Sequence, residues 1–251
     1  MDPAADQLET NMPAVPAPPL GLGVVALLAV AGATFIVLFT TLLILPFIRF
    51  DPVTAKPVVS ALIAGRVGIP AELLAYAGLL GVIYVLFRQS GVISFWRHLE
   101  WNWPSWRKTI AFAGLGMALA FAVTALPVPI PPNLPIEVLL QDRWTLAMFL
   151  VFAPLPAPFV EEVYFRGLLF PALRSHIGSL AAILVTALLF ALLHGVQLAF
   201  TPWPLAILFL TGWVLTWIRA RSGSVACSFL VHSAYNIALL AGEMVARFRA
   251  H

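Results

Sequence analysis

Long apolar runs separated by short polar stretches dominate the chain, and their lengths predict membrane-spanning helices. The first run, about Leu20 to Pro46, is long enough to cross about 30 Å of hydrocarbon with some tilt. Arg49, Asp51 and Lys56 then mark an interfacial turn. A second span is predicted from about Glu72 to Phe87. Arg66 and Pro70 interrupt the apolar text ahead of it, so Val58 to Ile69 reads either as an interfacial or re-entrant lead-in or as the start of one long kinked helix. Ser90 to Lys108 is a polar linker whose Trp96, Trp101, Trp103 and Trp106 suit headgroup depth.

The third span, Ile110 to Leu126, is rich in alanine and glycine, which permits close helix contact. Pro127, Pro129, Pro131, Pro132 and Pro135 then impose an extended connection. The fourth span runs from about Trp144 to Leu173, and its Pro154, Pro156 and Pro158 predict a kink or break just ahead of Glu161. At membrane depth a break is tolerated where the freed carbonyls face protein or a wet cavity. The fifth span is Leu180 to about Leu198, with Gly195 marking a close approach or the loosening end of that helix. Trp203 to Ile218, ended by Arg219 and Arg221, is the sixth, and Val225 to about Met244 the seventh. The fold class is an all-α polytopic transmembrane bundle of about seven spans, within about one, the ambiguity lying at residues 57–88.

Composition reinforces this reading. With 61% hydrophobic and 10% charged residues, the chain has too little polar surface to cover a soluble body of 251 residues. Its net charge of +3 rests on few residues, so the lipid bilayer is the expected partner and no nucleic acid is. Basic residues favour the loops between spans two and three, four and five, and six and seven, which share one side under alternating topology. The positive-inside tendency puts those loops in the cytoplasm, although Arg49, Lys56, Arg247 and Arg249 fall on the other side, and a prokaryotic inner membrane is the expected location. Residues 1–18 are an acidic, proline-marked tail without the basic start of a signal peptide. Cys227 is the single cysteine, and a packing role suits it better than a nucleophilic one.

Against this background three runs carry ionisable groups. In Phe159–Gly167, Glu162 and Arg166 stand at i and i+4 and can pair on one helix face, while Glu161 is rotated about 100 degrees away and is the free carboxylate. His194 closes the fifth span, and His232 and Asn236 lie one turn apart in the seventh. Ionisable groups at bilayer depth cost roughly 2.5 to 3.5 kcal/mol on insertion scales, so they read by default as a site facing a polar interior. A glutamate and two histidines from three apolar spans can activate water, either by direct general-base chemistry or around a metal. Asn236 and the second histidine can donate to a developing oxyanion. No P-loop or dinucleotide glycine pattern and no internal repeat is present.

Glu161-Glu162-Val163-Tyr164-Phe165-Arg166, Phe190-Ala191-Leu192-Leu193-His194 and His232-Ser233-Ala234-Tyr235-Asn236 together resemble the three signature motifs of the CAAX protease and bacteriocin-processing family of intramembrane proteases, which includes the Rce1-type CAAX prenyl endopeptidases. The resemblance covers roughly residues 145–240 and implies a helical core with a cavity built by the C-terminal four spans and open toward the cytoplasm and membrane. It divides the chain into the tail 1–18, a variable transmembrane region 19–143, a catalytic core 144–245 and a basic tail 246–251. It implies that Glu161 and His194 activate the hydrolytic water, that His232 and Asn236 stabilise the oxyanion, and that Glu162 and Arg166 support them. The cofactor is either none or a divalent metal such as zinc, with Glu161, His194 and His232 as candidate ligands; no His-Glu-x-x-His run is present. The implied partner is a membrane-associated or lipidated protein or peptide, prenylated CAAX ends being the best-known substrates.

Two rival functions follow from the same residues. An ion-coupled transporter also uses broken helices and membrane carboxylates, but would be expected to carry an internal repeat. A non-catalytic scaffold or immunity protein of the same fold would tolerate replacement of His232 and Asn236.

Overall fold

The computed structural model describes residues 20–44, 49–50, 57–58, 61–127, 137 and 140–250. The predicted polar tail, most of the proline-rich connection, and Asp51 and Lys56 of the predicted interfacial turn lie outside them. The architecture is all-α: α1 (Leu22–Ile44), α2 (Ala61–Gln89), the one-turn α3 (Phe95–His98), α4 (Trp106–Thr124), α5 (Arg143–Phe152), α6 (Pro156–Tyr164), a π-helical turn (Phe165–Leu169), α7 (Phe170–Ile177), α8 (Ser179–Leu193), α9 (Pro202–Ser222) and α10 (Val225–Ala250). A two-residue antiparallel ladder pairs Arg49 with Val58 and Phe50 with Pro57 between α1 and α2.

Among the described residues, four helices are long and apolar enough to cross a bilayer: Gly65–Gln89, Trp106–Thr124, Pro202–Ser222 and Val225–Arg249. The pair Arg143–Phe152 and Pro156–Ile177, bent by 46°, makes a fifth if counted as one span. The distribution of side chains is that of a membrane protein turned partly inside out. Leu27, Val30, Leu74, Phe121 and Leu193 are exposed, whereas Glu162, Arg166 and Arg219 are buried.

The second apolar run is one 29-residue helix that passes through Pro70, so the long-helix alternative is the one adopted. Its N-terminal part is fastened to α5. Arg66 donates from Nε and Nη2 to the two carboxylate oxygens of Asp142, both at 2.9 Å. Asp142 in turn caps α5 by accepting from the Thr145 N–H at 3.0 Å and its hydroxyl at 2.9 Å. Gly65 lies against the Thr145 side chain, where any Cβ would overlap it. The small residues expected to bring the third span close do so at Gly116, whose missing Cβ leaves room for the Val231 carbonyl of α10.

The predicted fifth span is shorter than its sequence suggests. α8 ends at Leu193 with His194 as its C-cap, and residues 194–200 form successive turns. Phe200 folds back, its N–H donating to the Gly195 carbonyl at 2.7 Å, and its ring occupies the space a Cβ on Gly195 would need. An apolar sequence continues through this turn, which is why hydropathy alone overran the helix end.

Arg219, counted among the loop charges from sequence, is 1% exposed and belongs to the interior. It pairs with Glu100, a residue with φ of 54°, and donates from Nε to the Arg166 carbonyl at 3.2 Å. The Glu100 carbonyl also takes the Val225 N–H at 3.1 Å, so the loop after α3 is tied under the α9–α10 turn. Trp101 is likewise drawn inward, its ring 5.2 Å from that of Phe159 and 5.4 Å from that of Phe229. Cys227 is a buried free thiol packed with Leu215, Ile218 and Val231, as its packing reading expected.

Candidate active site

The site is built around the break that the prolines create. Pro154, Pro156 and Pro158 bring no N–H to the carbonyls four residues before them, so the helix stops at Phe152 and restarts at Pro156. Asn236 of α10 attends to one carbonyl at this break, donating from Nδ2 to the Ala153 oxygen at 2.7 Å. Nδ2 carries a second hydrogen that this bond leaves available. Five and six residues beyond the restart at Pro156, α6 presents Glu161 and Glu162 about 100 degrees apart.

Glu162 and Arg166 are both fully buried and form the expected ion pair, Nη1 to Oε1 at 2.8 Å. Arg166 sits in the π-helical turn and spends its other donors on α9: Nη2 to the Gly212 carbonyl at 3.0 Å and Nε to the Thr216 hydroxyl at 3.3 Å. Its guanidinium lies over the Phe190 ring, 4.7 Å from the centroid. Gly212 is required at this contact, because a Cβ there would press on Phe190 and on the Ala187 backbone of α8. The charge is thus matched by a carboxylate, a carbonyl, a hydroxyl and an aromatic face, which is the condition under which a buried guanidinium is tolerated.

His232 extends this network toward the free glutamate. Its Nδ1 is 3.0 Å from Glu162 Oε1, and its Nε2 is 3.8 Å from Glu161 Oε2. His194 approaches Glu161 from the opposite side, Nε2 to Oε1 at 3.9 Å, with its Nδ1 donating to the Phe190 carbonyl at 2.9 Å. The Phe190 ring lies beside both imidazoles, at 4.9 Å from His194 and 5.7 Å from His232. Both Nδ1 atoms are therefore engaged by acceptors, which directs both Nε2 atoms toward one carboxylate. The gaps of 3.8 and 3.9 Å exceed a direct hydrogen bond and suit bridging by water.

The structure brings together Glu161, Glu162, Arg166, His194 and His232; Asn236 stands one turn from His232, against the helix break. Sequence reasoning named Glu72 as the start of the second span and passed over Tyr76. The Tyr76 hydroxyl lies near the carboxylates of Glu72 and Glu161, and its ring stacks on Phe152 at 5.9 Å, just before the break. The i, i+4 spacing of Glu72 and Tyr76 was the available signal. Gly212, Thr216 and Arg219 stand at i, i+4 and i+7 on α9, and it is this face that holds the Glu162–Arg166 pair.

Among the described residues, no group of three or more His, Cys, Asp or Glu side chains is placed to hold a metal ion. The Glu161 oxygens stand 3.9 and 3.8 Å from the His194 and His232 nitrogens, against about 3.4 Å between two ligands held tetrahedrally about 2.1 Å from a zinc.

A carboxylate flanked by two oriented imidazoles, buried in a helical membrane body, defines a hydrolase-type site. Residues 143–238 match the family described as Type II CAAX prenyl endopeptidase Rce1-like. This part of the chain is therefore a CAAX-protease family domain, and the buried Glu/His cluster within it supports a peptidase function of that type. The match begins at Arg143 and ends two residues after Asn236, enclosing the whole cluster apart from Glu72 and Tyr76. No curated protein and no solved structure matches the chain.

Proposed function

We propose that the protein is an intramembrane endopeptidase that hydrolyses a peptide bond of a membrane-associated protein or peptide, a prenylated CAAX-type C-terminus being the first substrate class to test. The observation that carries this reading is the convergence of His194 Nε2 and His232 Nε2 on the two oxygens of Glu161, at 3.9 and 3.8 Å. In the proposed reaction Glu161, aided by His194, takes a proton from water as the water oxygen bonds to the scissile carbonyl carbon. His232 and the unused Asn236 N–H stabilise the resulting oxyanion. Because His232 Nδ1 faces an acceptor, its Nε2 can donate to that oxygen only as an imidazolium, for which Glu162 is the counter-ion. Collapse breaks the C–N bond, and the proton held by Glu161 passes to the leaving amine. Glu162 and Arg166 act as positioning residues.

The apolar cleft beside the break supports a membrane-borne substrate. It is lined by Leu150, Pro154, Ile237, Leu240, Ala241 and Met244, and it adjoins Asn236 and Ala153 along α10 and α5. The same reading takes residues 144–245 as the catalytic core, residues 19–143 as a variable transmembrane region, and residues 1–18 and 246–251 as tails of a bundle of about seven spans, its site formed by the C-terminal four and open to the cytoplasmic side of a prokaryotic inner membrane.

The test is cleavage of a reporter peptide library, including a farnesylated C-terminal peptide, by protein reconstituted in liposomes. Wild type should cut at least one peptide, and Glu161→Gln should lose about 10²-fold or more of that rate. Retention of activity in Glu161→Gln would overturn the assignment.

A further inference from the structure

A second cavity, of about 620 Å³, lies between the start of α4 and the α9–α10 turn. It is separate from the peptidase cluster, sharing none of Glu161, His194, His232 or Asn236. Two cations from different helices line it, Lys108 of α4 and Arg221 of α9. Among the described residues neither has a carboxylate partner, in contrast to Arg66, Arg166, Arg219 and Arg247, which are all paired. No acidic residue lines the cavity; its other polar groups include Ser105 and Ser222, and its apolar wall includes Trp103 and Phe112.

The walls are rigid. Ser224 and Asn102 exchange hydrogen bonds, the Ser224 hydroxyl donating to the Asn102 carbonyl and accepting from the Asn102 N–H at 3.2 Å. Gly223 adopts φ of 66°, which brings Ser222 and Ser224 round the turn. Trp103 at the rim and Trp106 beside it are 60% and 69% exposed, the setting of an interfacial aromatic belt. Ala111, Leu115 and Ala122, on the same side of α4 as Lys108, continue from the cavity as an exposed apolar face of that helix. A charged mouth above an apolar helix face is complementary to a molecule with an anionic head and hydrocarbon chains.

We propose that this cavity binds the headgroup of an anionic glycerophospholipid, its phosphate held by Lys108 and Arg221 and an acyl chain laid along the apolar face of α4. A soluble phosphate shares the head chemistry but would make no use of α4.

Native mass spectrometry of the full chain in detergent separates these sources, with phosphatidylglycerol, phosphatidylcholine and inorganic phosphate as probes. Phosphatidylglycerol should form a one-to-one adduct that tolerates inorganic phosphate. The double substitution Lys108→Gln and Arg221→Gln should weaken it about 30-fold, each single change contributing about 5-fold, since a basic group near an anionic surface is worth about 1 kcal/mol. Arg97→Gln, at an exposed basic residue outside the cavity, should leave the adduct unchanged. Equal affinity for phosphatidylcholine, an unaltered adduct in the folded single variants, or displacement by inorganic phosphate alone would overturn the lipid assignment.

Discussion

His232 and Arg166 meet at one atom: Glu162 Oε1 lies 3.0 Å from His232 Nδ1 and 2.8 Å from Arg166 Nη1. An oxygen serving a guanidinium and an imidazole together is a carboxylate oxygen accepting from both, so His232 is held with Nδ1–H toward Glu162. The supporting ion pair and the reactive face of the site are thereby one hydrogen-bonded unit.

Replacing Glu162 with Gln tests that unit. The amide keeps the shape but removes the charge that would sustain an imidazolium at His232. kcat should fall at least about 10-fold with little change in KM, since the interaction is made chiefly in the transition state. Steady-state kinetics on a peptide cut by wild type would measure this, and a rise in KM at unchanged kcat would refute it.

Arg166 to Met is expected to be a stability change before it is a catalytic one. It strands the buried Glu162 carboxylate and frees the Gly212 carbonyl and the Thr216 hydroxyl, a loss of about 3 to 5 kcal/mol for breaking one side of a buried pair. Thermal unfolding in detergent should show a clear drop in Tm. The double change Glu162→Gln with Arg166→Met should recover part of that drop, because no unpaired charge then remains inside.

Asn236 bonds the Ala153 carbonyl, and the oxyanion role proposed for it is separable from that bond by a single substitution. Alanine releases the Ala153 carbonyl at the helix break and deletes the oxyanion donor, so both Tm and kcat should decline. Removing one such donor costs about 10² to 10³ in rate where it serves an oxyanion. A fall in Tm alone, with kcat intact, would confine Asn236 to the break.

Asp142 gives a pH dependence whose direction follows from its contacts. Its hydrogen bonds from Arg66, joined by those from Thr145, hold the carboxyl well below the usual carboxylate range. The lowered value means that the contribution is complete above the ordinary aspartate pKa of about 3.9 and is lost as pH falls toward the folded value. Unfolding measured from pH 6 downward should show this acid-side loss in wild type and a smaller one in Asp142→Asn.

Metal dependence is tested by the same cleavage measurement with and without a chelator. The spacing of Glu161, His194 and His232 leads us to expect activity that survives chelation. Loss on chelation and recovery with one divalent ion would require those donors to close around it.

The sequence carried the site further than it carried the packing beneath it. Glu162 with Arg166 and the break ahead of Glu161 were legible because each depends on local spacing, i and i+4 in one case and three prolines in the other. His194, His232 and Asn236 were legible as polar groups inside apolar spans, and the motif resemblance grouped them with Glu161. Arg219 was not, because a basic residue at the end of an apolar run looks the same whether it meets headgroups or a buried Glu100 119 positions earlier in the chain. The π-helical turn at Phe165–Leu169 left no mark in hydropathy, and Tyr76 was hidden because its partner Glu161 lies on another helix.

The brevity of α8 bears on how water reaches a bond being cut within a bilayer. Fifteen residues rise about 22 Å, against about 30 Å of hydrocarbon. Were α8 to cross the bilayer as the fifth span, this mismatch would be met by thinning of the adjacent leaflet or by a helix end lying below the interface, and His194 occupies that end. The solvent front would then dip beside Glu161 and His194, so the rate of the proposed reaction should vary with acyl-chain length, rising in thinner bilayers, in a way that a soluble peptidase would not show.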